Sequence, residues 1–474
     1  MPTQIKDPGT VLIIGAGPTG LGTAVRLQEL GFDKFYLLEA DTRPGGLSSS
    51  VVDDQGFTWD LGGHVQFSHY AYYDRLLDRV LQDGWLNHER ESWVWIKGRF
   101  VPYPFQNNIR YLEPEDCEEI VADLKAAKIK RDPAWQPDNF GDWIRRTFGK
   151  ALSELFFYPY NSKVWGYPPE DLSTAWMGDR ISVPDLERIE RNIREKRTDV
   201  GWGPNNRFRF PERGGTGAIW ENVAKLVQPE RLLFSHEVTC VDLDAKCVYA
   251  NPRRCFNYDS LISTVPLDRL VRICDGVSTR SRKAAESLVY SSVHVLGLGL
   301  RGDMPDMLAK KCWIYFPEAH HPYFRVTVFS NYSPHNVPEG AGYWSLMAEV
   351  CESERRKVNH EDLPKATLEA MRTEGLIGDH TEIMSLWHRR IEHAYPTPFL
   401  GRDEILGLIQ PELEARSVYS RGRFGGWKYE VSNQDHSFMQ GVELANQLLL
   451  SVPEVTYPDP NRANSGEFQN QESD

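Results

Sequence analysis

The chain has 474 residues, 41% hydrophobic and 26% charged, a balance typical of soluble globular proteins but too long for one ordinary core, so two or three subdomains are expected. A net charge of −13 with no basic run excludes a general nucleic-acid binder, and the arginine-rich stretch 186–197 also carries Glu187, Glu190 and Glu195, as a solvated helix face does. The seven cysteines include no C-x-x-C pair, which argues against a disulfide framework or a zinc site and fits a reducing compartment; no stretch is apolar enough to span a bilayer, so a cytoplasmic protein without a membrane partner is expected.

In chain order, VLIIGAGPTG reads as a buried strand and a glycine turn. Leu21, Ala24, Val25 and Leu27 then line one face of a helix that Gly31 stops, and FYLLE forms a second strand. Residues 114–197 have helical spacing and little alternation, which predicts a helical insertion. Residues 232–266, 291–300, 323–330 and 343–350 read as short strands, together a mainly antiparallel sheet, and helical patterns return at 403–415 and 434–450. The polar tail after Pro458 is expected to be disordered. The fold class is therefore α/β: a Rossmann-like dinucleotide domain (1–84, 214–284 and 402–460), a helical domain (108–203), an antiparallel sheet domain (85–107, 204–213 and 285–401) and a disordered tail (461–474).

Gly15, Gly17 and Gly20 form a G-x-G-x-x-G fingerprint, with Thr19 inside it and Glu39 closing the second strand. The first glycine permits the tight turn, the second lets the backbone approach a pyrophosphate, and the third lets helix and strand pack closely. The helix N-terminus offers free N–H groups to phosphates, and Glu39 offers acceptors to ribose hydroxyls. The fingerprint alone does not separate NAD from FAD. Gly46, Leu47 and Ser48 follow a second glycine loop (RPGGLS), which resembles the flavoproteins of the glutathione-reductase-like and amine-oxidase-like class and implies FAD. A third glycine pair, Gly62-Gly63, precedes His64. No Ser/His/Asp grouping, metal-ligand cluster or carboxylate pair stands out, so no metal is expected.

The ordered motifs GGHVQFSHY, VPYPFQNN, PYNSKVW, AWMGDR, GPNNRFRFPERGGTG, KCWIYFPE, FSNYSP, YPTP and RGRFGGWKYE resemble the UDP-galactopyranose mutases over about residues 10–450, closer to the eukaryotic form than to the usual bacterial one. The resemblance implies a redox-neutral isomerase that interconverts UDP-galactopyranose and UDP-galactofuranose. N5 of reduced FAD acts as nucleophile on the anomeric carbon, and NADPH or NADH is the reductant. It implies that Arg180 and Arg325, with Tyr315, Tyr395 and Tyr429, hold the diphosphate. Tyr103, Phe105, Gln106, Phe156, Tyr160, Asn161 and Trp165 would form the uridine pocket, and Asn205 would help close the site. His64 and Arg423 would lie at the flavin, with Phe67 beside them on the substrate side. Asn433, Gln434 and Asp435 would touch the ribityl and pyrophosphate region, and Val238 the adenine. Arg90 and Ser92 match residues linked to reduction by the nicotinamide. Gln66 stands where an apolar residue is expected, and the short 336–343 loop and tail put the fungal tetramer contacts in doubt, leaving monomer or homo-oligomer open. The alternatives are a mutase for another UDP-sugar, a flavin oxidase of the amine-oxidase type, or a non-catalytic FAD- or nucleotide-sensing protein.

Overall fold

The structure is a computed structural model and describes residues 6–129, 135–201, 203–251 and 254–469. A five-stranded parallel sheet has the order Val418–Ser420, Ser260–Ser263, Val11–Ile14, Phe35–Leu38, Leu232–Leu233. The central strand Val11–Ile14 is fully buried, as its unbroken apolar run requires of a strand covered on both faces. Residues 260–263 therefore belong to this parallel sheet, although the surrounding segment was read as antiparallel.

Helix Pro18–Glu29 lies against helix Gln434–Leu450. The two backbones approach closely because a Cβ at Gly22 would run into the Phe438 carbonyl and one at Gly441 into that of Thr19. The C-terminal helix thus completes the first domain. Four short strands form a smaller sheet beside it, in the order Arg254–Asn257, Cys247–Asn251, Glu237–Asp242, Cys274–Asp275. Here the structure corrects the cysteine reading: Cys247 and Cys255 form a disulfide across this hairpin, a pairing that their eight-residue separation disguised.

The second body is a seven-stranded sheet, in the order Glu382–Pro396, Tyr290–Arg301, Tyr343–Glu352, Arg325–Val328, Trp313–Tyr315, Ser92–Ile96, Arg99–Pro102. Its pairs are antiparallel except where Trp313–Tyr315 runs parallel to Ser92–Ile96. The fifteen-residue edge strand 382–396 had no clear signal, because exposed, half-buried and buried positions mix along it. Gly297 and Gly299 leave room on this sheet for Trp59 and Phe57.

Helices Pro114–Ile129, Phe140–Leu152, Tyr158–Trp165 and Leu186–Arg194 occupy the segment read as helical. Asn139 caps the second through the Asp142 N–H at 2.8 Å, and Asp185 caps the last. Their core joins Phe105, Ile120, Ile144, Phe148, Phe156 and Trp165.

The tail departs from the expected disorder as far as residue 469. Asp459 accepts from the Arg462 N–H and starts a turn, Pro460–Ala463; Asn464 donates to the Glu430 carbonyl at 3.1 Å, and Phe468 stacks on Tyr70 at 5.6 Å. Specific caps and one aromatic contact order a segment whose composition suggested solvation. The rest of the expected tail lies outside the described residues. Among the described residues no helix is long and apolar enough to cross a membrane.

Candidate active site

The strand Val11–Ile14 delivers the chain into a turn at Gly15, whose φ of 101° suits glycine. A Cβ at Gly20 would run into the Gly15 carbonyl, so this glycine is what lets the helix sit on its own turn. The helix starts with Pro18 behind an N-cap glycine, without a side-chain cap and without an acidic residue in its first turn. Its leading N–H groups are thus left for an anion. Thr19, buried there, lies against Gly422 and so sets the loop of Arg423 beside the helix start.

Glu39 accepts from the Ala16 N–H at 2.6 Å and from the Asp41 N–H at 2.8 Å, and its burial pushes the carboxyl above the usual range. The second glycine loop is tied to the first where the Gly45 N–H donates to the Ala16 carbonyl at 2.9 Å. Gly46 faces Gly17: a Cβ on Gly46 would stand 3.6 Å from the Gly17 Cα, and one on Gly17 would meet only the Gly45 carbonyl, at 3.9 Å. Gly46 opens the short turn Gly46–Ser48, in which Ser48 is buried and Leu47 packs against the core. Val238 starts next to Glu39, because the His236 N–H donates to the Glu39 carbonyl at 2.8 Å. This backbone-walled slot, with a carboxylate at the end of the second strand, fits a dinucleotide.

Asn433 is the N-cap of the last long helix. Its neighbours are engaged within the chain: Gln434 accepts from the Trp220 indole at 2.8 Å, and Asp435 accepts from the His69 backbone N–H at 3.0 Å and lies 2.7 Å from His69 Nδ1. These bonds tie the helix start to the loop that carries His64. Phe67, on that loop, meets the His69 ring edge-on at 5.6 Å.

The opposite wall is built by cross-strand pairing. Tyr315 faces Arg325, and Arg325 faces Glu349, in register across three neighbouring strands. The Glu349 carboxylate receives both Nε and Nη2 of Arg325, the latter at 2.8 Å. Burial works against the Arg325 charge, but Glu349 overcomes it and holds the guanidinium well above its usual range. Gly62-Gly63 passes directly over this pair: a Cβ at Gly63 would sit 3.0 Å from Arg325 Nη2 and 3.2 Å from Thr327 Oγ1.

His64 is half-buried, with Nδ1 enclosed and without a partner. Burial, then the charges of Arg423 and Arg325, depress its pKa to about 3. Arg423 donates to the Ala394 carbonyl at 2.7 and 3.0 Å and to Ser432 Oγ at 2.9 Å, and it lies over Tyr395 at 5.2 Å and Tyr429 at 5.8 Å. Arg180 lies over the same Tyr429 ring at 5.8 Å, and its Nη2 donates to the Glu430 carbonyl at 2.6 Å and meets Asn464 at 3.5 Å. Tyr315 meets Tyr103 and Tyr160, each at 5.3 Å. Arg90 covers Tyr103 and donates to Asn205 Oδ1, and the buried Ser92 carbonyl takes the Tyr103 N–H at 3.0 Å.

The structure therefore brings His64, Arg180, Arg325, Arg423 and the tyrosines 103, 160, 315, 395 and 429 around one cleft. Some expected uridine-pocket residues lie behind this lining. Phe105 is fully buried and stacks on Phe156 at 4.6 Å; the Gln106 amide donates to the Ser182 carbonyl at 2.5 Å, and the Asn161 amide to its own helix at Phe157. Trp165, also buried, packs edge-on to Tyr429 at 4.8 Å. Sequence reasoning missed Glu349, Ser432, His69 and Asn464. Their signal is a partner far away in the chain, which no local spacing carries.

The profile described as flavin containing amine oxidoreductase matches residues 18–389. The crystal structure of a reduced UDP-galactopyranose mutase is 48% identical, with 96% of this chain and 97% of that one covered and a TM-score of 0.93. A protein assigned as a protoporphyrinogen oxidase from Exiguobacterium sp. 255-15 (16% identity, 93% and 98% covered, TM-score 0.69) and a CLA-producing fatty acid isomerase from P. acnes (14%, 94% and 99%, 0.63) share the fold alone. The chain belongs to the flavin-containing amine oxidoreductase family and, within it, to the UDP-galactopyranose mutases.

Proposed function

We propose that this protein is a flavin-dependent isomerase that interconverts UDP-galactopyranose and UDP-galactofuranose. The observation that carries the reading is its near full-length likeness to a reduced UDP-galactopyranose mutase at 48% identity. When bound and reduced, FAD supplies the nucleophile, its N5, for the anomeric carbon. The glycine turn and first helix hold the pyrophosphate, Glu39 the ribose, and Gly46, Leu47, Ser48 and Val238 flank the cofactor. His64 stays neutral between two guanidiniums, so its ring can exchange one hydrogen bond at the cofactor without adding a charge there.

Arg180 and Arg325, with the hydroxyls of Tyr315, Tyr395 and Tyr429, hold the diphosphate when it leaves and when it returns, and Arg423 lies near the flavin and the sugar. Guanidiniums suit phosphate oxygens. Tyr103 and Tyr160 offer ring faces to the uracil. Asn205, already tied to Arg90, closes the mouth and excludes water that would trap an open sugar. NADPH or NADH is the proposed reductant, entering at Arg90 and Ser92.

The test is anaerobic incubation of the purified protein with UDP-galactofuranose, with and without dithionite, and chromatography for UDP-galactopyranose. Conversion that requires reduction is the expected result. A flavin-loaded protein that binds UDP without conversion would point to another nucleotide sugar. Absence of both conversion and UDP binding would overturn the assignment in favour of an oxidase.

A further inference from the structure

The seven-stranded sheet carries a second polar cluster on its other face. Glu349 and Glu352 lie three residues apart on one strand and so point to opposite sides. Glu349 serves Arg325; Glu352 faces away from that cleft. Two positions along the neighbouring strand from its partner Ser292 stands His294, fully buried, on the face that Leu296 and Leu298 share with the core under helix Leu363–Thr373.

His294 Nε2 lies 3.2 Å from one Glu352 oxygen, and His360 Nε2 lies 2.9 Å from the other. The three ligating atoms are all within 4.8 Å of one another. On its far side, His294 Nδ1 is 2.9 Å from Nε2 of His388 on the edge strand. Zinc sites of the two-histidine, one-carboxylate kind bring their donor atoms this close, and a ligating histidine commonly has its second nitrogen held by a hydrogen bond.

We propose that His294, Glu352 and His360 form a site for a borderline divalent cation of the zinc class, with His388 orienting His294. The contact of His294 Nδ1 with His388 leaves His294 Nε2 directed at the carboxylate, where a cation can bridge the two. Arg390 also touches this carboxylate, with Nε 2.6 Å from Glu352, but its Nη1 is paired with Glu392 at 2.6 Å. Two carboxylates against one guanidinium leave the cluster one negative charge, so a dication is not repelled. The side chain of His360 is 50% exposed and leaves the site open to solvent. N and O donors without sulfur favour zinc over copper(I), and two imidazoles favour it over magnesium.

The experiment uses the full-length FAD-loaded protein, stripped with a chelator and dialysed to equilibrium against micromolar Zn2+ with metal quantified. One ion per chain is expected, with an X-ray absorption edge showing nitrogen and oxygen neighbours only. His360→Ala, a change at a half-exposed position, should weaken binding by at least about tenfold and leave mutase turnover unchanged. Glu352→Gln should do the same to binding. Failure of the unaltered protein to take up zinc, or equal uptake by His360→Ala, would overturn the proposal.

Discussion

The pairing of Arg325 with Glu349 separates binding from folding in one experiment. In Arg325→Ala, the guanidinium proposed to meet the diphosphate is lost, and the Glu349 carboxylate, 2% exposed, loses the cation that its two oxygens hold. The first loss should weaken UDP binding by about 2 kcal/mol, or roughly 30-fold in Kd. The second should cost about 3–5 kcal/mol of stability, because breaking a buried pair from one side leaves a desolvated charge. In the double variant Arg325→Ala/Glu349→Ala the orphaned charge is gone. Stability should return most of the way, reduced only by the cavity, while UDP affinity should remain low. The assay is UDP binding by calorimetry together with urea unfolding, on the parent, both single variants and the double. Recovery of UDP affinity along with stability would refute the reasoning, since it would mean that Arg325 acts only by neutralising Glu349.

Further outcomes test other parts of the cleft. His64→Ala should retain FAD, read from its absorbance, and lose about 10²-fold or more in turnover; turnover at the parental rate would make His64 structural. Gly63→Ala places a methyl 3.0 Å from Arg325 Nη2, so UDP affinity should fall by about 1–3 kcal/mol with the fold intact by circular dichroism. Asn464→Ala removes donors to the Glu430 and Pro460 carbonyls and the contact to Arg180; a loss of about 1–2 kcal/mol is expected, and an unchanged Tm would show that the tail is not tied down. Lys163, buried between the Phe316 and Glu318 carbonyls at 2.8 Å each, has its pKa lowered to about 6 by burial and then by Arg356. The unfolded chain binds this proton up to about pH 10.5 and the folded chain only up to about 6, so stability should rise with pH between them. Parallel melting curves for the parent and Lys163→Met from pH 6.5 to 8.5 would contradict this.

The first domain was legible because its constraints are local. Gly15, Gly17 and Gly20 are fixed by a turn, a slot and a close approach within six residues, and the helix period follows at once. Helices 402–414 and 434–450 declared themselves in the same way. The cleft residues were legible only through their long motifs; spacing alone does not distinguish Tyr315 from an ordinary core-edge tyrosine. What stayed hidden is non-local. Glu349 has meaning only once the strand of Arg325 lies beside it, and the His294 cluster draws on four segments. Strand 382–396 mixes buried, half-buried and exposed positions without a regular alternation.

The charges in the cleft explain why an acidic chain can receive an acidic ligand. Arg180 and Arg423 are satisfied by neutral acceptors, the carbonyls of Glu430 and Ala394 and the hydroxyl of Ser432, whereas Arg325 alone of the three meets a carboxylate. Of these three guanidiniums one is paired with a carboxylate, which leaves two positive charges held by neutral acceptors. A nucleoside diphosphate ester carries two negative charges at neutral pH, so the match is one of charge as well as shape. A neutral amine or an alkyl substrate, such as an oxidase would take, would leave those cations desolvated and unpaired, at a cost that the carbonyl contacts only partly offset. The same logic explains the neutral His64. A further positive charge there would exceed what the diphosphate can balance, and burial first, then the charges of Arg423 and Arg325, keep the His64 ring unprotonated.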